Sequence, residues 1–304
     1  MFLNIAYITK VNLASLNGSE GSGGNIVEIK KVSDYEGNEY AYVSGQALRR
    51  YLKETLMQLG ERISGVDEKG NPTIEVDGEW IDLNAKLTQD LKQKIFSAVI
   101  DLDLFGYMLP KGDRRWSPVK VAPLLSLLPY KGEQDYLTRK QKSDETRSGN
   151  IVQVEIDTFN FMRGNIVINY AHVGKDVDEY TYQTKEILDS DEANRRLNKL
   201  LDAIRYFNGG AKQSRHLEDI SPKFLIIAHQ RFGTPFLLNS IHVDEKGNIA
   251  IEPIKKALEE YKPDSYRIGI ASGIFSNEEQ IKESFENVGT IAKAIDHYKD
   301  FLKS

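Results

Sequence analysis

Two basic clusters hold the residues best suited to chemistry. Arg49, Arg50 and Lys53 fall on one face of a helical run, and Lys212, Gln213 and Arg215 crowd a glycine-hinged loop. A guanidinium can grip a phosphate through two parallel N–H donors, and an ammonium meets it as a point charge. Both clusters therefore suit a phosphodiester chain. Ahead of the first one, five glycines (Gly18, Gly21, Gly23, Gly24 and Gly37) leave backbone N–H groups uncovered. Lys30 and Lys31 follow, and Ser44 stands where a helix N-cap belongs. The glycine-rich loop is no nucleotide fingerprint. Ile26 occupies the last position of a G-x-G-x-x-G read from Gly21, and no G-x-x-x-x-G-K-[ST] occurs.

Bond-breaking chemistry has little support. The five histidines (His172, His216, His229, His242 and His297) show no metal-ligand spacing, and none sits beside a G-x-S-x-G elbow. His229, at a strand end, reads as a packed histidine. Asp101 and Asp103 could be a metal pair, but their context AVIDLDLFGYM favours capping or folding roles. No cysteine is present, which excludes disulfides, thiolate metal sites and thiol nucleophiles. The expectation is a protein that is not an enzyme, with no cofactor and no metal site. A net charge of −5 excludes an all-over basic coat but not a local basic groove. No apolar run reaches the roughly 18 residues of a membrane span, so a cytoplasmic protein without a membrane partner is expected.

The elements that must position these clusters follow from periodicity. Residues 2–12 alternate as a strand, with Leu3, Ile5, Tyr7 and Val11 on one face and a mostly polar other face. A hairpin turns at Glu36-Gly37-Asn38, and a helix over 45–59 buries Ala47, Leu48, Tyr51, Leu52, Leu56 and Leu59. Residues 60–115 read as an insertion with a VDEKGN turn and a largely helical second half. A β-run over 118–128 precedes a polar ribbon or loop at 130–150. Residues 151–173 read as a hairpin turning at Arg163-Gly164-Asn165. A helix over 191–207, a strand over 223–230 and a further hairpin that repeats VDEKGN come next; the repeat reads as shared turn chemistry. Helix 254–261, strand 266–272 and helices within 276–302 close the chain. The core order β-α-β-β-α-β is the ferredoxin-like arrangement also used by RNA-recognition-motif domains, an α+β fold with two helices on one sheet face and the other face open.

The combination N-L-x-S-L-N-G…G-G-N-I-V-E-I-K-K, Y-V-S-G-Q-A-L-R-R-Y-L, D-L-F-G-Y-M, S-P-V-K-V and G-G-A-K-Q-S-R-x-L…S-P resembles the backbone subunit of type I CRISPR effector (Cascade) complexes. This is the Cas-seven family, in its DevR-like autoregulator branch, subtype I-B-like. The likeness covers residues 1 to about 230. It implies a hand-shaped protein that polymerises along a CRISPR RNA. The modified RNA-recognition-motif palm would be 1–59, 116–128, 152–170 and 191–235, with an inserted finger at 60–115 and a thumb at 129–151. Residues 171–190 would connect, and 236–304 would extend the palm as an α/β segment. By motif position Ser44, Gln46, Arg49 and Arg50 would hold the guide backbone with Lys212, Gln213 and Arg215, while Asn17, Gly24 and Asn25 would line the same groove. Implied partners are the CRISPR RNA, a target DNA strand met through the guide, further copies of the chain and other type I effector subunits.

Family members in type I systems are non-catalytic. The alternative is a metal-dependent endoribonuclease of the type III backbone-subunit kind, whose loop aspartate no acid here matches clearly, although Asp34 keeps the option open. The older family name also suggests transcriptional autoregulation, without a helix-turn-helix signature to support it.

Overall fold

The strand Phe2–Ala14 (β1) is apolar on both faces and so belongs in the middle of a sheet. Leu3, Ile5, Tyr7 and Val11 fill one core, Ala6 and Ile8 another, and all six are fully buried. In the computed structural model, which describes residues 1–302 except 17–25, 77, 82–86, 109–113, 139–150, 179–180, 212 and 215, β1 belongs to a nine-stranded sheet. The other strands of this sheet are β2 (Lys31–Ser33), β3 (Glu39–Val43), β4 (Val119–Val121), β5 (Leu124–Ser126), β6 (Asp157–Asn169), β7 (Phe224–Gln230), β8 (Ser265–Ile270) and β9 (Val288–Gly289). Their order is β9-β8-β7-β1-β6-β5-β3-β2, with β4 also pairing to β6.

The helices are α1 (Gly45–Gln58), α2 (Gln89–Ala98), α3 (Asp101–Phe105), α4 (Ser190–Arg205), α5 (Ile251–Tyr261), α6 (Glu278–Ser284) and α7 (Ile291–Phe301). Among the described residues no helix is long and apolar enough to cross a membrane. Taken along the chain, β1, α1, the β4–β5 run, β6, α4 and β7 give the expected β-α-β-β-α-β core. In space its strands lie fourth, first, third, second, all antiparallel. Leu48, Leu52 and Leu56 of α1 and Leu197, Leu200, Leu201 and Ile204 of α4 bury one sheet face. Each such side chain contributes about 1.5–3 kcal/mol of burial. The turns chosen by sequence form as expected. Asp34, Asp67 and Asp244 each open a D-x-x-G-N turn, accepting two backbone N–H groups and the Asn side-chain amide. The glycine takes positive φ in all three (+89°, +84° and +79°).

Two expectations fail. The face opposite α1 and α4 is not open, because Phe236, Leu237, Ile241, Ile254, Phe275, Ile281 and Phe285 cover it. The signal was the run FLIIA in β7, whose residues are all buried. A continuous apolar run marks a strand covered on both faces. Even the polar residue Asn4 is buried there, accepting from the Asn165 side chain at 2.8 Å and donating to the Thr234 carbonyl.

Nor does Arg163-Gly164-Asn165 make a turn. β6 runs unbroken through it, with Arg163 opposite Ile8, Gly164 opposite Tyr7 and Asn165 opposite Ala6. Gly164 serves close approach: a Cβ there would sit 2.5 Å from the ring and hydroxyl of Tyr7. Tyr7 is fully buried and edge-on to Phe207, so it has little room to yield. Replacing Gly164 with Ala should cost about 1–3 kcal/mol through overpacking, read as a lower midpoint in thermal or urea unfolding; an unchanged midpoint would contradict this packing.

Candidate nucleic-acid interface

Helix α1 begins as its sequence requires. The Ser44 hydroxyl accepts from the Ala47 N–H at 3.3 Å, and the missing side chain of Gly45 lets the first turn sit on β4, where a Cβ would lie 2.6 Å from the Val121 carbonyl. The buried leucines then aim Gln46, Arg49, Arg50, Lys53, Glu54 and Met57 outward. These residues form one wall of an open groove of about 700 Å³, and Ile63, Ser64 and Val66 form the other.

The three cations of this wall differ in their commitments. The Arg50 side chain is 78% exposed and pairs with Glu54 at 2.8 Å, a surface contact worth only a few tenths of a kcal/mol. Arg49 donates to the Phe105 carbonyl and stands over that ring, 5.6 Å from its centre. Lys53 reaches the fully buried Asp101 at 2.8 Å, and Asp101 also accepts the Ser64 N–H and hydroxyl. Asp101 thus has the folding role its apolar context suggested. Arg49 and Lys53 tie α1 to α3 while keeping their positive charge at the groove.

The second cluster lies where β1 ends. The loop after α4 packs on α1 at Gly209, whose Cβ would fall 2.3 Å from the Tyr51 ring. The Ala211 N–H donates to the carbonyls of Ser15 and Leu16, and the Tyr51 hydroxyl donates to Leu16. Glu218 accepts the N–H groups of Asn12 and Leu13 at 2.8 and 2.9 Å. Gln213 folds back, its Nε2 donating to the Gly209 carbonyl.

A two-stranded hairpin, Gln134–Thr138 with Ile151–Glu155, rises beside this point, and Ile26–Val27 adds to it in parallel. Asp157, just past the hairpin, pairs with Ala14, and His216 Nε2 is 3.4 Å from Asp135 Oδ2. Three segments distant in sequence therefore meet at the exit of β1.

Of the predicted site residues, Ser44, Gln46, Arg49, Arg50 and Lys53 line α1, and Gln213 lies in the loop on β1. Asn17, Gly24, Asn25, Lys212 and Arg215 fall outside the described residues. The loop and the Arg49–Lys53 face do not form one patch. Tyr51, which receives the loop, is roughly 160° around α1 from Lys53 at 100° per residue. Sequence reasoning missed Ser15 and Asp157, whose only signals were a serine between apolar neighbours in LASL and an acid within the strand-like run EIDTF.

The profile of the family described as CRISPR-associated negative auto-regulator DevR/Csa2 matches residues 5–248. No curated protein matches the chain. Among solved structures, a chain of a "CRISPR RNA-guided surveillance complex, pre-nicking" is similar with a TM-score of 0.64 at 15% identity, over 99% of this chain and 100% of that one. A chain of a "CRISPR RNA-guided surveillance complex" follows with a TM-score of 0.61 at 16% identity, over 99% of each. At such identities the likeness is one of fold.

Electrostatically, the point of convergence is marked by Asp157. Burial pushes its carboxyl from 3.8 up to about 6, against the opposing hydrogen bond from Asn160. Because the folded value is the higher one, the fold prefers the neutral acid. Stability is full below about pH 4 and falls as pH rises toward 6, by about 3 kcal/mol in all. Asp157→Asn should therefore unfold at a higher denaturant concentration than wild type at pH 7 to 8 and converge with it near pH 4. Parallel pH profiles for the two proteins would refute this assignment.

Proposed function

Because the chain belongs to the CRISPR-associated DevR/Csa2 family, we propose that it is a non-catalytic scaffold that binds CRISPR RNA and polymerises head-to-tail along it. It would form the backbone of a type I interference complex in the cytoplasm and present the guide to target DNA. The observation that carries this reading is the convergence at the exit of β1 of the glycine-rich segment's flank, the loop 208–218 and the hairpin rooted at 134 and 155. A strand threaded there would meet backbone N–H groups and basic side chains from separate segments at once. Cas-seven terms divide the chain naturally. The palm would be 1–59, 116–128, 152–170 and 191–235, the finger 60–115 and the thumb 129–151, with 171–190 connecting and 236–304 closing the back of the palm.

Within that division, Arg50 of α1 and Lys212 and Arg215 of the loop would hold guide phosphates, Gln213 would meet the guide backbone beside them, and Asn17, Gly24 and Asn25 would line the same groove. Ser44 and Gln46 would set the start of α1, and Arg49 and Lys53 would add charge from the groove wall. The nuclease alternative loses its candidate acid. The Asp34 carboxylate accepts from Glu36, Asn38 and Tyr40, and the Asn38 amide holds it below the usual carboxylate range. That is the work of a turn. The family's printed description also names negative autoregulation, and binding of the protein to duplex DNA in place of single-stranded RNA would favour that second reading.

Guide contacts of this kind are electrostatic and largely indifferent to base sequence. Affinity for single-stranded RNA should fall linearly in log–log terms with salt, by about 0.7 per phosphate contacted. Alanine at Arg50, Lys212 and Arg215 together should reduce that slope by about 2, measured by anisotropy titrations at several salt concentrations. An unaltered slope would remove these cations from the interface. Light scattering should also show mass rising stepwise with RNA length, since a head-to-tail contact does not close on itself. A constant dimer at every length would end the scaffold reading.

A further inference from the structure

Buried polar groups in folded proteins are nearly all hydrogen-bonded, so those without partners point to something the fold expects to meet. Ten buried side-chain atoms among the described residues have no such partner in the protein, and five of them belong to Ser15, Asp157, Gln213 and His216. These four residues share one locality. Ser15 follows Ala14, which pairs with Asp157, and the Ser15 carbonyl receives the Ala211 N–H of the loop that carries Gln213 and His216. Ser15, Asp157 and His216 are each more than nine-tenths buried. Elsewhere the unpartnered atoms are fewer together, Asn169 and Gln230 flanking Phe2 at the start of β1. Here they gather at the exit of β1.

Their chemistry is specific. Asp157 Oδ2 and Gln213 Oε1 can only accept while the carboxyl is ionised, the Ser15 hydroxyl accepts or donates, and a neutral imidazole offers one acceptor and one donor. Phosphate oxygens only accept, and a carboxylate repels them, so the guide backbone's phosphates cannot fill this set. The partner must donate. On a single RNA strand the donors are base amino or imino groups and the ribose 2′-hydroxyl. A scaffold that repeats along a guide of any sequence meets different bases at each step but the same sugar. The 2′-hydroxyl also accepts, which suits Ser15 and His216, and it is the group by which proteins tell RNA from DNA.

We propose that Ser15, Asp157, Gln213 and His216 form a ribose-reading site that takes 2′-hydroxyls of the guide strand and so selects RNA over DNA. The site rests on the scaffold reading and adds to it a role that cations cannot perform. Arg50 and its fellows would attract either nucleic acid, and these uncharged or acceptor groups would choose between them. His216 Nε2 lies 3.4 Å from Asp135 Oδ2 without hydrogen-bond geometry, which links the site to the base of the hairpin. The hairpin root and the sugar reader would then act on the same nucleotide.

The test uses the full chain with three synthetic strands of one sequence: RNA, DNA and 2′-fluoro RNA, which keeps an RNA-like sugar pucker but lacks the hydroxyl donor. At fixed salt the wild-type protein should bind RNA about tenfold or more tightly than DNA, with the 2′-fluoro strand close to DNA. Ser15→Ala combined with His216→Phe should shrink the RNA preference to about threefold or less, with the salt slope of RNA binding retained. Equal wild-type affinity for RNA and 2′-fluoro RNA would overturn the proposal, and needs no variant that could fail to fold. So would a folded double variant that keeps the full preference. RNA bound without sugar preference sinks this inference alone, whereas failure to bind any single strand sinks the scaffold reading with it.

Discussion

A buried carboxylate, Asp103, fixes the relation between the inserted region and the sheet. It accepts from Arg115 Nη2 at 2.5 Å, Arg196 Nη1 at 3.2 Å and the Gly174 N–H at 3.0 Å. Both guanidiniums are otherwise occupied: Arg196 by Glu192 and the Phe96 carbonyl, Arg115 by the His172 carbonyl and the Phe96 ring. Helix α3, the segment around Arg115, the turn at Gly174 and helix α4 therefore meet on one side chain. Burying such a cluster gains little net stability, but removing one partner strands a charge at a cost of about 3–5 kcal/mol. Its effect is to specify geometry. The groove along α1 has its second wall on residues 63–66, which Asp101, two residues from Asp103, holds through Ser64. The position of α3 thus sets the width of the groove.

What was legible in the sequence was local. The cap at Ser44, the D-x-x-G-N turns and the apolar faces of α1 and α4 depend on residues within one or two turns of each other, and they formed as read. The order of elements along the chain followed because it needs only the identity of successive elements. Gly164 was ambiguous in a way no local pattern resolves. A glycine serves either a turn or a close approach, and Tyr7, which decides the matter, lies far away in sequence. The covered back face was hidden for a similar reason. Its lid comes from residues 236–285, beyond the recognisable motifs, although the buried run in β7 already called for one.

The candidate site was legible in part. Residue type and spacing marked the two basic clusters, but the meeting of the loop with the end of β1 came only from the antiparallel pairing of β1 with β7. Invisible from sequence were the commitments of Arg49 and Lys53 to partners about fifty residues onward in the chain. So was the gathering of unpartnered atoms around Ser15 and Asp157. Both depend on burial, which one-dimensional patterns report poorly for polar residues.

The central place of β1 has a consequence in time. On one side its partner β6 is made some 140 residues later, and on the other β7 is made some 210 residues later. At bacterial or eukaryotic elongation rates of about 5–20 residues per second, the strand waits roughly 10–40 s for its second neighbour. During that wait it is an apolar ribbon with two unpaired edges, a template for pairing with another nascent chain. Its long-range pairings also imply slow folding once synthesis is complete. Expression of this protein should thus be governed less by the stability of its finished sheet than by what shields β1 before β7 emerges.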